Sequence, residues 1–151
     1  MFARLATLVQ HRKELDALEA AWHEELAEYH RSDEWRAEGY ASAAAAVGAA
    51  CRMDSGVAHA HLHVARKLAK LAEVADAFRC GEISVRHATV IANGFTPARA
   101  AAMSNLEAIF VDVARTQTPK VLGGVVGRAA DAIDGDGGAE SEHARYERRH
   151  Y

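Results

Sequence analysis

Residues 42–71 read SAAAAVGAACRMDSGVAHAHLHVARKLAKL, and this stretch decides the fold that we predict. Ser42 can cap an alanine-rich helix that ends at about Arg52, and Asp54 or Ser55 can cap the helix that follows. Two helices joined by a short turn form the outline of a helix-turn-helix. The turn lacks the glycine that many such motifs use, so the match is an imperfect one.

The second helix of this pair, drawn from Gly56 to Leu71, separates apolar residues from basic ones. Its apolar residues share one wide face: Val57, Leu62, Val64, Ala65, Leu68, Ala69 and Leu71. Imidazole and basic side chains recur on the opposite side at spacings of four, three and four, with one more lysine beside them. We call these five residues the basic ridge: His59, His63, Arg66, Lys70 and Lys67.

The basic ridge predicts duplex DNA as a partner. Arginine and lysine on an exposed helix face contact phosphates or guanine edges, and protonated histidines can donate beside them. From the residues alone, a merely solvated outer face is slightly favoured over DNA contact, because charged faces are common on helical hairpins. Both interpretations stay open at this point.

The first segment, about Phe2 to Arg31, predicts one long helix. Its apolar residues recur at spacings of three, four and seven: Leu5, Leu8, Leu15, Trp22, Leu26 and Tyr29. Arg12 and Glu19 interrupt this stripe, so packing against the chain's own domain is favoured over a coiled coil. The alternative is a homodimer in which this helix interacts through Leu8, Leu15, Trp22 and Tyr29.

The remaining chain predicts further helices and no strand. Ala72 to Arg79 forms a short helix that Gly81 ends, and Ser84 caps the next one through Asn93. Thr96-Pro97 and Thr118-Pro119 each predict the start of a helix. The last helix should end at the glycine cluster that begins at Gly135.

These elements predict an all-α fold, an irregular multi-helix bundle with a helix-turn-helix-like core. One helical domain spans 1–134, and it comprises a long N-terminal helix (1–31), the core (42–93) and two C-terminal helices (97–134). Residues 135–151 should form a flexible or truncated charged tail. With 151 residues and 7% aromatic residues, the chain suits one domain of closely packed helices.

Several classes of function are not expected. The sequence contains no recognisable catalytic motif, so neither an enzyme nor a small-molecule substrate is predicted. His59 and His63 share a helix face but lack a third ligand, so we predict no metal and no cofactor. Cys51 and Cys80 should be buried thiols in a reducing compartment. No signal peptide or membrane span is expected, and the predicted location is the cytoplasm.

Four stretches resemble the mycobacterial and other actinobacterial thirteen-E-twelve repeat proteins: Trp35–Ser42, Cys51–Gly56, Ala65–Leu68 and Ala77–Ala88. The resemblance identifies the chain as similar to their N-terminal helical domain of unknown function 222, which is usually followed by an HNH endonuclease domain. More distantly, Gly81-Glu82-Ile83-Ser84 with His87-Ala88 is similar to the helix-turn-helix region of ParB-type partitioning proteins.

The resemblance implies a non-catalytic DNA-binding or targeting module of a nuclease-type, mobile-element-associated protein. No position of this sequence matches the HNH residues, so we expect a chain that is truncated before the nuclease. The alternatives are a protein-interaction or dimerisation module and a remnant without a retained function.

Overall fold

The computed structural model describes the backbone of residues 2–150 and the side chains of residues 2–135. Within that range every regular element is helical, which confirms the predicted all-α bundle. The helices are α1 (Ala3–Ser32), α2 (Glu34–Ala37), α3 (Ala43–Ala50), α4 (Ser55–Leu68), α5 (Ala72–Arg79), α6 (Val85–Gly94), α7 (Ala100–Met103), a 3-10 turn (Ser104–Leu106), α8 (Glu107–Thr116) and α9 (Pro119–His150).

Helices α3 and α4 form the predicted pair, and their ends follow the expected chemistry. The Ser42 hydroxyl accepts a hydrogen bond from the Ala45 amide at 3.0 Å, which satisfies an orphan donor of the first turn of α3. After α3, Arg52 adopts the left-handed conformation with φ +57°, and the Met53 amide donates to the Gly48 carbonyl at 2.9 Å. This is a Schellman-type ending in which an arginine occupies the position that glycine usually fills.

Helix α1 packs on the bundle from about Lys13 onward, and its first turns extend beyond the bundle. Ala20, His23, Leu26 and Ala27 are buried, and they lie against helices α3, α4 and α5. The predicted stripe is wrong as a continuous buried face, because Leu5, Leu8 and Leu15 are at least half exposed. At 1.5 Å per residue, a helix of 30 residues is about 45 Å long and extends beyond the bundle on which it packs.

Two clusters of buried side chains hold the bundle together. The larger one is centred on α5, α6, α8 and α9 and contains the largest buried side chains: Phe78, Ile83, Ile91, Met103, Phe110 and Leu122. The smaller one joins α1, α3 and α4 and consists largely of alanine: Leu26, Ala27, Ala43, Ala44, Ala58, Leu62 and Ala65. Small side chains let these three helices approach closely, so α4 is held firmly from behind.

The loop between α5 and α6 lies directly against α1. Gly81 has φ +73°, and a Cβ atom added to it would lie 2.5 Å from the Lys13 carbonyl oxygen. Only glycine fits this approach without displacing one of the two backbones. The glycine that the sequence marked as a helix stop is therefore also a contact between two parts of the fold.

The C-terminal third of the chain differs from the prediction after Thr96 and again at Gly135. The segment after Thr96 forms a turn, two short helical pieces and α8 instead of one helix. The start at Thr118-Pro119 is as predicted, since the Thr118 hydroxyl accepts from the Val121 amide at 3.3 Å.

Helix α9 does not end at the glycine cluster that begins at Gly135 but continues to His150. Glycine in a helix costs only about 1 kcal/mol relative to alanine, and the sequence from Ala139 onward is rich in the helix formers alanine, glutamate and arginine. The prediction that residues 135–151 form a flexible or truncated charged tail falls mostly on residues whose side chains lie outside the described part of the chain, which ends at Gly135 for side chains.

Some predicted burials are also wrong. Cys51 and Cys80 are exposed, because they cap the ends of α3 and α5 where the chain turns at the surface. Val57, in the first turn of α4, and Ala69, just after its end, are exposed as well, since the neighbouring helices cover mainly the middle of α4. Among the described residues, no helix combines the length and the apolar composition that crossing a membrane requires.

Candidate nucleic-acid interface

Helix α4 lies between its neighbours with one face buried and the other open. Ala58, Leu62, Ala65 and Leu68 are buried, and α4 contacts α1, α3 and α6. Four residues of the basic ridge are exposed on the other side: His59, His63, Arg66 and Lys70. The structure therefore places His59, His63 and Arg66 on the open face of α4, while Lys70 lies in the turn just after the helix, which ends at Leu68 and not at the predicted Leu71.

The strongest positive charges of the ridge are not neutralised by nearby carboxylates. Among residues 2–135, neither Arg66 nor Lys70 forms an ion pair. By contrast, Arg79 lies 2.6 Å from both Glu24 and Asp76. Glu24 of α1 is thus paired with α5 and not with the ridge, and Arg66 and Lys70 keep their charge available to solvent or to an anion.

Lys67 differs from the other residues of the ridge. It is only partly exposed, and its ammonium group donates a hydrogen bond to the Phe95 carbonyl at the end of α6. A cation at that position also interacts favourably with the negative end of the α6 dipole. Lys67 therefore ties α4 to α6, and two of its three N–H donors stay available.

The first turn of α4 is open as well. Asp54 precedes the helix without a side-chain cap hydrogen bond, and a Cβ atom added to Gly56 would have nothing within 4 Å. In a helix-turn-helix, the N-terminal residues of the second helix approach the base edges. This end of α4 is accessible enough to do so.

A pair of histidines supports α4 from behind. His23 on α1 is 1% exposed, and its Nδ1 donates to the Glu19 carbonyl at 2.7 Å. Its Nε2 is therefore the acceptor for the Nδ1–H of His61 at 3.1 Å. Burial is the main cause that lowers the pKa of His23, although the bond to the Glu19 carbonyl opposes the shift. The hydrogen bond between the two imidazole rings thus joins α1 to α4.

Trp22 completes this junction. Its ring meets the rings of His23 and His61 edge-on, each with a centroid distance of 5.1 Å. Nothing in the sequence marked His23, because a histidine on an apolar stripe looks the same whether it faces solvent or a partner.

The four predicted interaction residues of α1 fall into two groups. Trp22 and Tyr29 pack against the smaller core cluster, and the Tyr29 hydroxyl donates to Glu38 at 3.2 Å. Leu8 and Leu15 are 60% and 50% exposed. Leu8 lies in the part of α1 that extends beyond the bundle, and Leu15 lies beside the groove that Trp22 also lines, so the four residues do not form one surface.

The segment that is similar to ParB-type proteins forms the start of α6. Ser84 caps this helix by accepting from the His87 amide at 3.3 Å, and the His87 Nδ1 accepts from the Ser84 amide at 3.1 Å. The His87 Nε2 must then carry the hydrogen that it donates to the Gln117 carbonyl at 2.7 Å. These residues are accounted for as a capping box, which gives them a structural role whatever the chain binds.

Sequence analysis also missed Glu107, at the start of α8. Its carboxylate accepts from the Val74 amide at 3.4 Å, in the first turn of α5. Burial, the main cause, raises the pKa of Glu107. This contact joins two helices that are far apart in sequence, so no local pattern could have predicted it.

The described residues do not include a group of three or more histidine, cysteine, aspartate or glutamate side chains placed to hold a metal ion. Two concave regions border α1. One, of about 430 Å³, lies between α1, α4 and α5, and the other, of about 320 Å³, lies beside Leu15, Leu18 and Trp22.

Comparison with known proteins identifies the chain at the level of its family. Neither a curated protein nor a solved structure matches it. One family model does match, with the description "Domain of unknown function (DUF222)", and it covers residues 2–151. Because this match covers nearly the whole sequence, the chain belongs to the family of the domain of unknown function DUF222.

Proposed function

We propose that this domain is a DNA-binding module that contacts duplex DNA through the basic ridge of α4. The observation that carries the proposal is the open, unpaired face of Arg66 and Lys70, in line with His59 and His63, on a helix that follows a turn and a short helix. A net charge of −3 for the whole chain does not favour a polyanion. Binding would therefore depend on this local concentration of positive charge.

The residues of the ridge divide by their position along α4. Arg66 and Lys70 lie near its C-terminal end, where long cationic side chains would contact phosphates and orient the domain. His59 and His63 lie nearer the N-terminal end, which approaches the bases in a helix-turn-helix. Lys67 would add at most a secondary contact, since it also anchors α6.

The resemblance to the thirteen-E-twelve repeat proteins of actinobacteria supports a finer proposal. In those proteins the helical domain is usually followed by an HNH endonuclease, so this domain would deliver such a nuclease to DNA and perform no catalysis itself. DNA as the partner also implies work in the cytoplasm. A fusion of this domain to an HNH nuclease should cut DNA more efficiently than the nuclease alone.

The DNA proposal is tested by binding of a fluorescent duplex as a function of salt. Affinity should fall steeply as salt rises, because binding releases the counterions of the phosphates. Replacing Arg66 and Lys70 together with alanine should reduce the slope of log K against log salt by roughly 2, about 1 for each lost phosphate contact.

A matched variant controls for net charge. Lys120→Ala with Arg128→Ala removes the same charge from two exposed positions of α9. This variant should bind as the unmodified chain does. Equal losses in both variants would show a non-specific charge effect, and binding that ignores salt and the Arg66/Lys70 change would overturn the proposal.

A further inference from the structure

The first half of α1 carries apolar side chains that no other described residue covers. Six large ones are between 41% and 92% exposed, and we call them the α1 patch: Phe2, Leu5, Leu8, Val9, Leu15 and Leu18. Soluble monomers rarely expose contiguous apolar surface of more than roughly a few hundred Å². Six such residues within 17 positions reach that range, so the patch marks an interaction site.

The patch continues a stripe that is buried further along the same helix. Leu5, Leu8 and Leu15 are in helical register with Trp22 and Leu26, which pack into the smaller core cluster. The stripe therefore stays apolar beyond the point at which the bundle ends. What covers the first half of α1 should resemble what covers the second half, namely another helix.

The charges along α1 identify what kind of helix fits. Residues 2–13 contain Arg4, Arg12 and Lys13 and no carboxylate. Residues 14–28 contain six carboxylates and neither lysine nor arginine. A second α1 in the antiparallel direction would set the basic start of each helix beside the acidic stretch of the other, whereas a parallel one would set like charges together.

The position of the bundle also selects the antiparallel direction. The bundle packs on the same side of α1 as Leu5 and Leu8, because these residues share a helix face with Leu26. Two parallel helices in contact through this face would bring both bundles into the same space. In an antiparallel pair, the two bundles lie at opposite ends and only the extending halves of α1 overlap.

A groove next to α1 provides a place for the end of such a partner helix. It has a volume of about 320 Å³ and is lined by Leu15, Leu18, Trp22, Met53 and His61, with Arg12 and Glu19 at its border. In an antiparallel pair that sets Leu5 opposite Leu15, the first turn of the partner helix would lie beside this groove. The same offset limits the overlap to residues 2–18 of the two helices.

We propose that two copies of this chain form an antiparallel dimer through the first halves of α1, with Leu5 of each copy opposite Leu15 of the other. The dimer surface is the α1 patch and not the predicted set of Leu8, Leu15, Trp22 and Tyr29, two of which belong to the core of one copy. This inference does not depend on DNA binding, since the basic ridge lies on another helix.

Light scattering over a concentration series tests the pairing itself. The full chain should show twice the mass of one copy. The double variant Leu5→Glu with Leu8→Glu should show the mass of one copy, because its dissociation constant should be at least about 100-fold higher. Ala3→Glu with Gln10→Glu is the matched control, because it adds the same charge at two exposed positions on the side of α1 opposite Leu5 and Leu8. A chain that stays single at high concentration, or a control that dissociates equally, would overturn the proposal.

Disulfide formation tests the direction of the pairing. In a background in which Cys51 and Cys80 are serine, chains with Leu5→Cys and chains with Leu15→Cys are oxidised separately and as a mixture. The antiparallel arrangement predicts crosslinked dimers in the mixture only. Crosslinking of either chain alone would indicate a parallel pair and would contradict the proposed geometry.

Discussion

Single residues decide where parts of this fold meet, and Gly81 is the clearest case. Its φ of +73° would cost an L-residue about 1–2 kcal/mol even in open space. Its position leaves no space, because an added Cβ atom would lie 2.5 Å from the backbone oxygen of Lys13. The contact joins the loop between α5 and α6 to α1, which is the helix that also supports α4.

Replacing Gly81 with alanine should therefore destabilise the protein by at least about 2 kcal/mol, since strain and overlap add. Urea unfolding followed by circular dichroism measures this change. Gly127→Ala is the control, because it lies inside α9 with nothing near its added Cβ atom, and it should raise stability by about 0.5–1 kcal/mol. Equal stability of the Gly81 variant and the unmodified chain would contradict the close approach.

At the scale of the elements, the sequence predicted the end of a helix correctly wherever residues at that end determine it. Ser42, Ser84 and Thr118 mark helix starts that the structure confirms, because their hydroxyls accept the orphan amides. The separation of apolar and basic residues along α4 is confirmed for the same reason, since helical periodicity is a local property. Gly135 shows the limit of local signals, because α9 continues through the glycine cluster into the good helix formers from Ala139 onward.

Contacts between elements were not predictable from the sequence. Whether Leu8 is buried depends on how far the bundle extends along α1. The sequence of α1 alone does not indicate where the bundle ends. The pairing of His23 with His61 and the bond of Lys67 to the Phe95 carbonyl likewise depend on which helices become neighbours. The candidate site was thus predicted as a set of residues on one helix, while its supports appear only in three dimensions.

The turn between α3 and α4 carries a strain that can be removed. Arg52 has φ +57° at the end of α3, where glycine has no steric penalty. Arg52→Gly should therefore raise the free energy of unfolding by about 1 kcal/mol. Arg52→Ala removes the same charge but keeps the strained backbone, so it should give no such gain. If both variants are equally stable, the left-handed conformation is not the cause.

At the scale of the whole molecule, burial of His23 couples folding to pH. Its pKa lies below the ordinary value of 6.5 in the folded state, mainly because burial disfavours the charged ring. The unfolded chain binds a proton more readily than the folded one, so stability rises with pH wherever the unfolded state binds more protons. The contribution is fully present above about pH 6.5 and is lost as the pH falls toward the folded pKa.

Two carboxyl groups change the free energy of unfolding with pH in the opposite direction, and they do so at lower pH. Burial raises the pKa of Asp16 and of Glu107, so the folded state holds their protons more strongly than the unfolded state does. That contribution is present below their ordinary pKa values, near 4, and is lost as the pH rises through the folded values. A decline in stability below pH 6.5 therefore points to His23 and not to these carboxyl groups.

The free energy of unfolding should accordingly fall between pH 7.5 and pH 5, with a slope that approaches at most about 1.4 kcal/mol per pH unit for one proton. His23→Asn removes the titrating ring, so this variant should be less stable at pH 7.5 but should lose less stability on acidification. His11→Gln changes an exposed histidine of the same helix and should leave the slope unaltered. Urea titrations at several pH values measure the slope for the unmodified chain and for both variants. An unchanged slope in the His23 variant would mean that another group causes the loss of stability at low pH.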